Sequence, residues 1–139
     1  MREILFKAKR IDNGEWEIGS LIALPNGDYE IANKCQNPPD SDPMWGKCVI
    51  THKVDPSTIC QYTGLTDKNG QKIWENDVVE TIYNGKQNPN YVVIWDKDDL
   101  GFLATNGKEH YGTNSEYLGC CEEIIVIGNI FDNPELLNE

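Results

Sequence analysis

"QYTGLTDKNGQKIWENDVVE", residues 61–80, places a Thr-Gly, an Asn-Gly and an Asn-Asp step within twenty residues, with short apolar runs between them. Asn-Gly tolerates the positive φ of a tight hairpin, so residues 64–70 reverse the chain at Asn69-Gly70. Residues 71–74 then make a brief apolar-polar segment and residues 75–77 turn again. Residues 78–83 set Val78, Glu80 and Ile82 against Val79, Thr81 and Tyr83, the two-residue period of a strand. The stretch could be a ligand-binding loop, a catalytic loop or the hinge of a small β-barrel, and its spacing favours the barrel. Asp77, at the start of a strand, is placed to accept hydrogen bonds from backbone amides of the preceding turn.

The same alternation of short strand and sharp turn runs outward in both directions. Residues 4–10, 15–24 and 29–32 read as strands separated by "DNG" at 12–14 and "PNG" at 25–27, which predicts an N-terminal β-meander. Residues 35–47, "CQNPPDSDPMWGK", carry three prolines and cannot hold regular structure. Residues 49–54 resume a strand, and "VDPST" is a turn with Asp55 as cap and Pro56 at the first helical position. Beyond the opening stretch, residues 91–95 and 101–105 form a hairpin across "DKDDLG". Residues 123–127 are the most apolar strand and are expected to be central, Gly128 permits a bend, and Asn133 and Pro134 start a last short helix with Leu136 and Leu137 inward. Many short strands with almost no helix predict a mainly β chain: a meander and Pro-rich loop over residues 1–54, a small barrel over 55–139, and a short C-terminal helix, together one domain of 139 residues.

The net charge of −11 is uneven. Residues 1–57 hold seven Lys/Arg and nine Asp/Glu, net −2, and residues 58–139 hold five and fourteen, net −9. An acidic surface repels phosphate backbones, so direct nucleic-acid and anionic-membrane binding are disfavoured, and only Lys7, Lys9 and Arg10 offer a basic stripe. There is no apolar run long enough for a transmembrane helix and no signal-peptide h-region at the start, which points to the cytoplasm. Five cysteines, an odd number, suit reduced thiols rather than a disulfide framework.

Four segments in order, "FKAKRIDNGEWEIGSLI", "VDPSTICQYTGLTDKNGQKIWENDVV", "YVVIWDKDDLGF" and "VIGNIFDNPELL", resemble the YopX family of small phage- and prophage-encoded proteins over nearly the whole chain. The resemblance implies an SH3-like form for the barrel and a phage or prophage origin in a host cytoplasm. It implies no activity and carries over no functional residues. The family usually has Gly where this chain has Cys60, and Glu-Gly-Asp where it has Glu75-Asn76-Asp77. Asn tolerates the left-handed region, so the turn at Asn76 should survive, whereas Cys60 is costly only if its position needs positive φ.

Candidate chemistry is sparse. Cys35, Cys48, His52 and Cys60 have the donor types of a zinc site but no C-x-x-C pair, and free thiols explain them better. "DKDDLG" puts Asp96, Asp98 and Gly101 at calcium-loop positions, but Leu100 stands at the fifth and Gly107 at the twelfth, where a carboxylate is needed. Cys48 and His52 share a strand face, too far apart to bond at about 3.3 Å per residue. Vicinal Cys120 and Cys121, and the neighbours Glu122 and Glu123, point to opposite faces, and His110 lies in a polar loop. No phosphate loop or nucleotide fingerprint is present.

The expectation is therefore a non-enzymatic interaction protein without cofactor or metal, binding a host or phage protein, with a homo-oligomer through meander edges as an option. The candidate contact residues are Trp45, Trp74, Trp95, Asp96, Asp98 and Asp99: tryptophans able to stack on a partner, and acids for a basic one. The alternatives are an acidic nucleic-acid mimic that inhibits a DNA-binding host protein, and a small enzyme or metal protein.

Overall fold

The structure is a computed structural model that describes residues 2–34, 49–83, 85–87, 89–98, 100–105 and 115–137. It is mainly β, and its chain divides into two compact units, Met1–Gln61 and Tyr62–Glu139.

In the first unit β1 (Phe6–Lys9), β2 (Trp16–Ala23), β3 (Tyr29–Lys34) and β4 (Val49–Val54) form an antiparallel meander in the order β4-β3-β2-β1. The expected turns make it: Gly14 and Gly27 take φ of 71° and 92°, and the side chains of Asn13 and Asn26 accept from the amides of Glu15 and Asp28. The register puts Phe6 opposite Gly19, Leu21 opposite Ile31 and Tyr29 opposite Val54. These residues share the face on which Ala8, Ile31 and Val54 form a buried cluster, with Phe6, Leu21, Tyr29 and Ile59 packed on it. The end of β4 curls back onto the β1–β2 turn: Arg10 and Val54 form a β-bridge, Ile11 N donates to Lys53 O at 3.0 Å, and Asp55 N donates to Lys9 O at 2.8 Å. Asp55 caps the 3-10 turn Pro56–Thr58 by accepting from Ser57 N, as its sequence predicts.

β5 (Cys60–Thr66) begins in the first unit, where Gln61 and Cys60 pair with Phe6 and Lys7, and continues into the second, where Tyr62 pairs with Trp74. There β6 (Lys72–Trp74), β7 (Asp77–Tyr83), β8 (Lys86–Gln87), β9 (Tyr91–Asp96), β10 (Gly101–Thr105), β11 (Ser115–Tyr117) and β12 (Glu123–Asn129) follow. The strand order is β11-β10-β9-β7-β12, with β8 beside β7. Ile73, Val79, Tyr91, Val93, Ala104, Leu118 and Ile124 form its core. Cys60 lies in a strand and is not among the positive-φ residues, so it replaces the family's usual glycine without strain. Asn76 does take the left-handed conformation, at φ 69°.

Three expectations need correction. β12 is at the end of the strand path, not its centre; its apolar residues pack on β7 on one side, while Lys68 N donates to Ile124 O on the other. The last short helix begins at Pro134 as expected, a 3-10 helix over Pro134–Leu137, but its Leu137 is exposed rather than inward. Asn133 stands at its N-cap position, its carbonyl accepting from Leu136 N at 3.2 Å, but its side chain turns back, where Oδ1 accepts from Asn129 N. Gly128 does bend the chain, because the β7–β12 register shifts between Val126 and Gly128.

Candidate functional site

The opening stretch is a backbone clamp. Asp67 Oδ1 accepts from Asn69 N and Gln71 N, both at 2.9 Å, closing the turn that Gly70 completes at φ 81°. Its Oδ2 accepts from Val126 N at 3.0 Å, fifty-nine residues along the chain. Burial alone would push this carboxyl up, but the amides of Val126, Gln71 and Asn69 outweigh it and hold the group below the usual carboxylate range. Asp77 Oδ2 accepts from Trp74 N at 2.8 Å, the role its sequence position suggests. Between them, Asn76 N donates to Val93 O and Asn76 O accepts from Ile130 N. Asp67 and Asp77 are thus both buried and occupied by backbone amides. A groove beside this turn is lined by Leu65, Lys68, Leu118, Cys121, Glu123 and Ile124, with Lys68 paired to Glu123 at 3.4 Å.

On the first unit, Glu17 gathers polar groups: Arg10 Nη1 at 3.3 Å, Asn33 Nδ2 at 3.1 Å and His52 Nε2 at 3.9 Å. Arg10 also pairs with Asp12, so the basic stripe read from the sequence is partly neutralised. Lys7 and Lys9 lie over the Trp16 ring at 4.6 and 5.4 Å. Among the described residues no three His, Cys, Asp or Glu side chains are grouped to hold a metal ion. Cys35 and Cys48 of the zinc set considered above lie outside the described residues.

The predicted contact residues part company. Trp74 is 5% exposed and packs on Tyr62 with ring centroids 5.5 Å apart, so it belongs to the interior and not to a rim. Asp96 is 7% exposed, against the expectation of a surface acid. Trp45 and Asp99 lie outside the described residues. Trp95 and Asp98 are at the surface, around the β9–β10 hairpin. Trp95 is 48% exposed and meets Phe102, its cross-strand partner, at 5.0 Å and 68°. Leu100, which the sequence reading passed over, is 76% exposed at φ 54°. The signal that could have found it is its place: a leucine at a hairpin tip where Gly or Asn is usual. Beneath the tip, Asp96 Oδ1 accepts from Asp98 N at 2.9 Å, while the buried Oδ2 has no donor among the described residues.

No helix among the described residues is long and apolar enough to cross a membrane. No curated protein matches the chain. Among solved structures it is similar to protein EF1440 from Enterococcus faecalis, with 19% identity, a TM-score of 0.55 and 99% of each chain covered, which shows a shared fold. The family model of the YopX protein matches residues 6–138, the span over which the turn clamps and the IGNI-DNPELL ending lie: the chain belongs to the YopX family.

Proposed function

We propose that this is a non-enzymatic protein-interaction module of phage or prophage origin that acts on a host or phage protein in the host cytoplasm. The observation that carries the reading is the division of labour among its conspicuous residues. Asp67 and Asp77, the acids of its most distinctive stretch, are buried on backbone amides, whereas Trp95 and Leu100 are held out at a hairpin. A catalytic site would gather titratable groups around a space for substrate; large apolar side chains kept at the surface are instead the anchors of protein contacts. An SH3-like form for the second unit is supported by the β7-β9-β10-β11 meander, the 3-10 turn Leu118–Cys120 and the return of β12 to β7. Fold alone assigns no ligand.

The net −9 of residues 58–139 favours one second reading, an acidic nucleic-acid mimic. One experiment addresses both: capture from host-cell lysate on the tagged protein, eluted at low and then high salt. A partner that survives high salt supports an interface with an apolar centre. A nucleic-acid enzyme released wholly by salt supports the mimic. An empty eluate from host and phage-infected lysates alike contradicts both.

A further inference from the structure

Unfavourable features concentrate at one place on the second unit. Leu100 occupies the left-handed region at φ 54°, a conformation unfavourable for a non-glycine residue. The same side chain is 76% exposed. Trp95, at the other foot of the tip, is 48% exposed, and Phe102 packs against it. Asp96 Oδ2 is buried without a donor among the described residues. Strain, exposed apolar surface and an unmatched polar atom within six residues are costs that folding alone does not require.

Trp95 also differs from Trp16, over whose ring Lys7 and Lys9 of the same chain lie at 4.6 and 5.4 Å. Trp95 is accessible, yet among the described residues no cation lies over it. The hairpin sequence is acidic: Asp96–Gly101 holds three Asp and one Lys, within a half of net −9. Among the described residues an accessible indole is thus left without the cation it suits, with an exposed leucine in the same hairpin.

From this the geometry points to the β9–β10 hairpin as the docking surface for a basic segment of a partner protein. An arginine or lysine of that segment lies on the Trp95 ring and is drawn by the exposed Asp98 carboxylate, and an aliphatic neighbour packs on Leu100. This rests on the interaction-module reading and adds the site and the partner's chemistry.

The test uses the full chain and a capped peptide of Arg-Pro-Leu repeats, with a Glu-Pro-Leu counterpart, followed by NMR of backbone amides and indole N–H groups. The Arg peptide is expected to shift the Trp95 indole and the Asp98 and Gly101 amides, with the Glu peptide silent. Trp95→Ala is expected to weaken binding by about tenfold or more. Leu100→Gly should raise the melting temperature by about 3 °C, by relieving strain, and still weaken binding by about fivefold. A merely structural Leu100 would give the first effect without the second. Shifts elsewhere, equal binding of the Glu peptide, no binding, or unchanged affinity of both variants would overturn the assignment. A lysate partner captured equally by wild type and Trp95→Ala would also overturn it while leaving the interaction module standing; empty capture would remove that reading as well.

Discussion

Asp67 accepts a hydrogen bond from Val126 N at 3.0 Å, joining the turn at residues 67–70 to a strand near the other end of the chain. The same carboxylate accepts from Asn69 and Gln71, so one buried side chain closes a local turn and ties down the outer edge of β12. Removing it leaves three amides unmatched. Asp67→Ala is expected to destabilise the protein by about 3 kcal/mol, measured by urea unfolding. A loss under about 1 kcal/mol would show that the clamp is dispensable.

The same site sets a pH dependence. The Asp67 carboxyl lies below its ordinary value in the folded protein, as do Asp55, held by Ser57, and Asp12, held by Arg10. A depressed folded value means that these groups contribute stability above the unfolded carboxyl value of about 4, and that it is lost as pH falls through the folded value. Melting temperature is therefore expected to fall between about pH 5 and pH 2. The fall should be shallower in Asp67→Asn, and an identical profile in that variant would remove Asp67 from the linkage.

Gly19 gives a steric prediction. A Cβ built there would collide with the backbone carbonyl of Ala32, on the neighbouring strand β3. Backbone cannot swing aside as a side-chain end can, so Gly19→Ala is expected to cost about 2 kcal/mol or more by calorimetry. A neutral effect would mean that β2 and β3 separate without loss.

Asn76 tests the second turn. At φ 69° it should accept glycine with little change, whereas Asn76→Val is expected to lose about 2 kcal/mol in chemical unfolding. Equal stability of the two variants would contradict a turn held by backbone conformation.

Much of the fold was legible because its turns announce themselves. Asn-Gly or Asp-Pro steps mark the β1–β2, β2–β3, β4–β5 and β5–β6 turns, and β10 falls on its expected residues. What escaped lacks local signal. β8 is only Lys86–Gln87 and β11 is the polar Ser115–Tyr117; both are strands because β7 and β10 offer them edges. Asp77 was readable since its partner, Trp74, is three residues away, but Asp67's bond to Val126 spans fifty-nine and leaves no trace in local spacing. Trp74 and Trp95 look alike in sequence, each near a polar turn. They diverge because Trp74 packs against Tyr62 across β5 and β6, while Trp95 has Phe102 on one side and solvent on the other. Leu100 was missed because alternation in strands says nothing of a tip residue's φ.

The central claim is that the 61–80 stretch serves the fold while the β9–β10 hairpin meets the partner. Amide hydrogen exchange of the protein, alone and with the partner recovered from lysate, tests it most directly. The account predicts new protection over residues 94–103 and little change over 61–80. Protection confined to 61–80, with the hairpin unaffected, would contradict it.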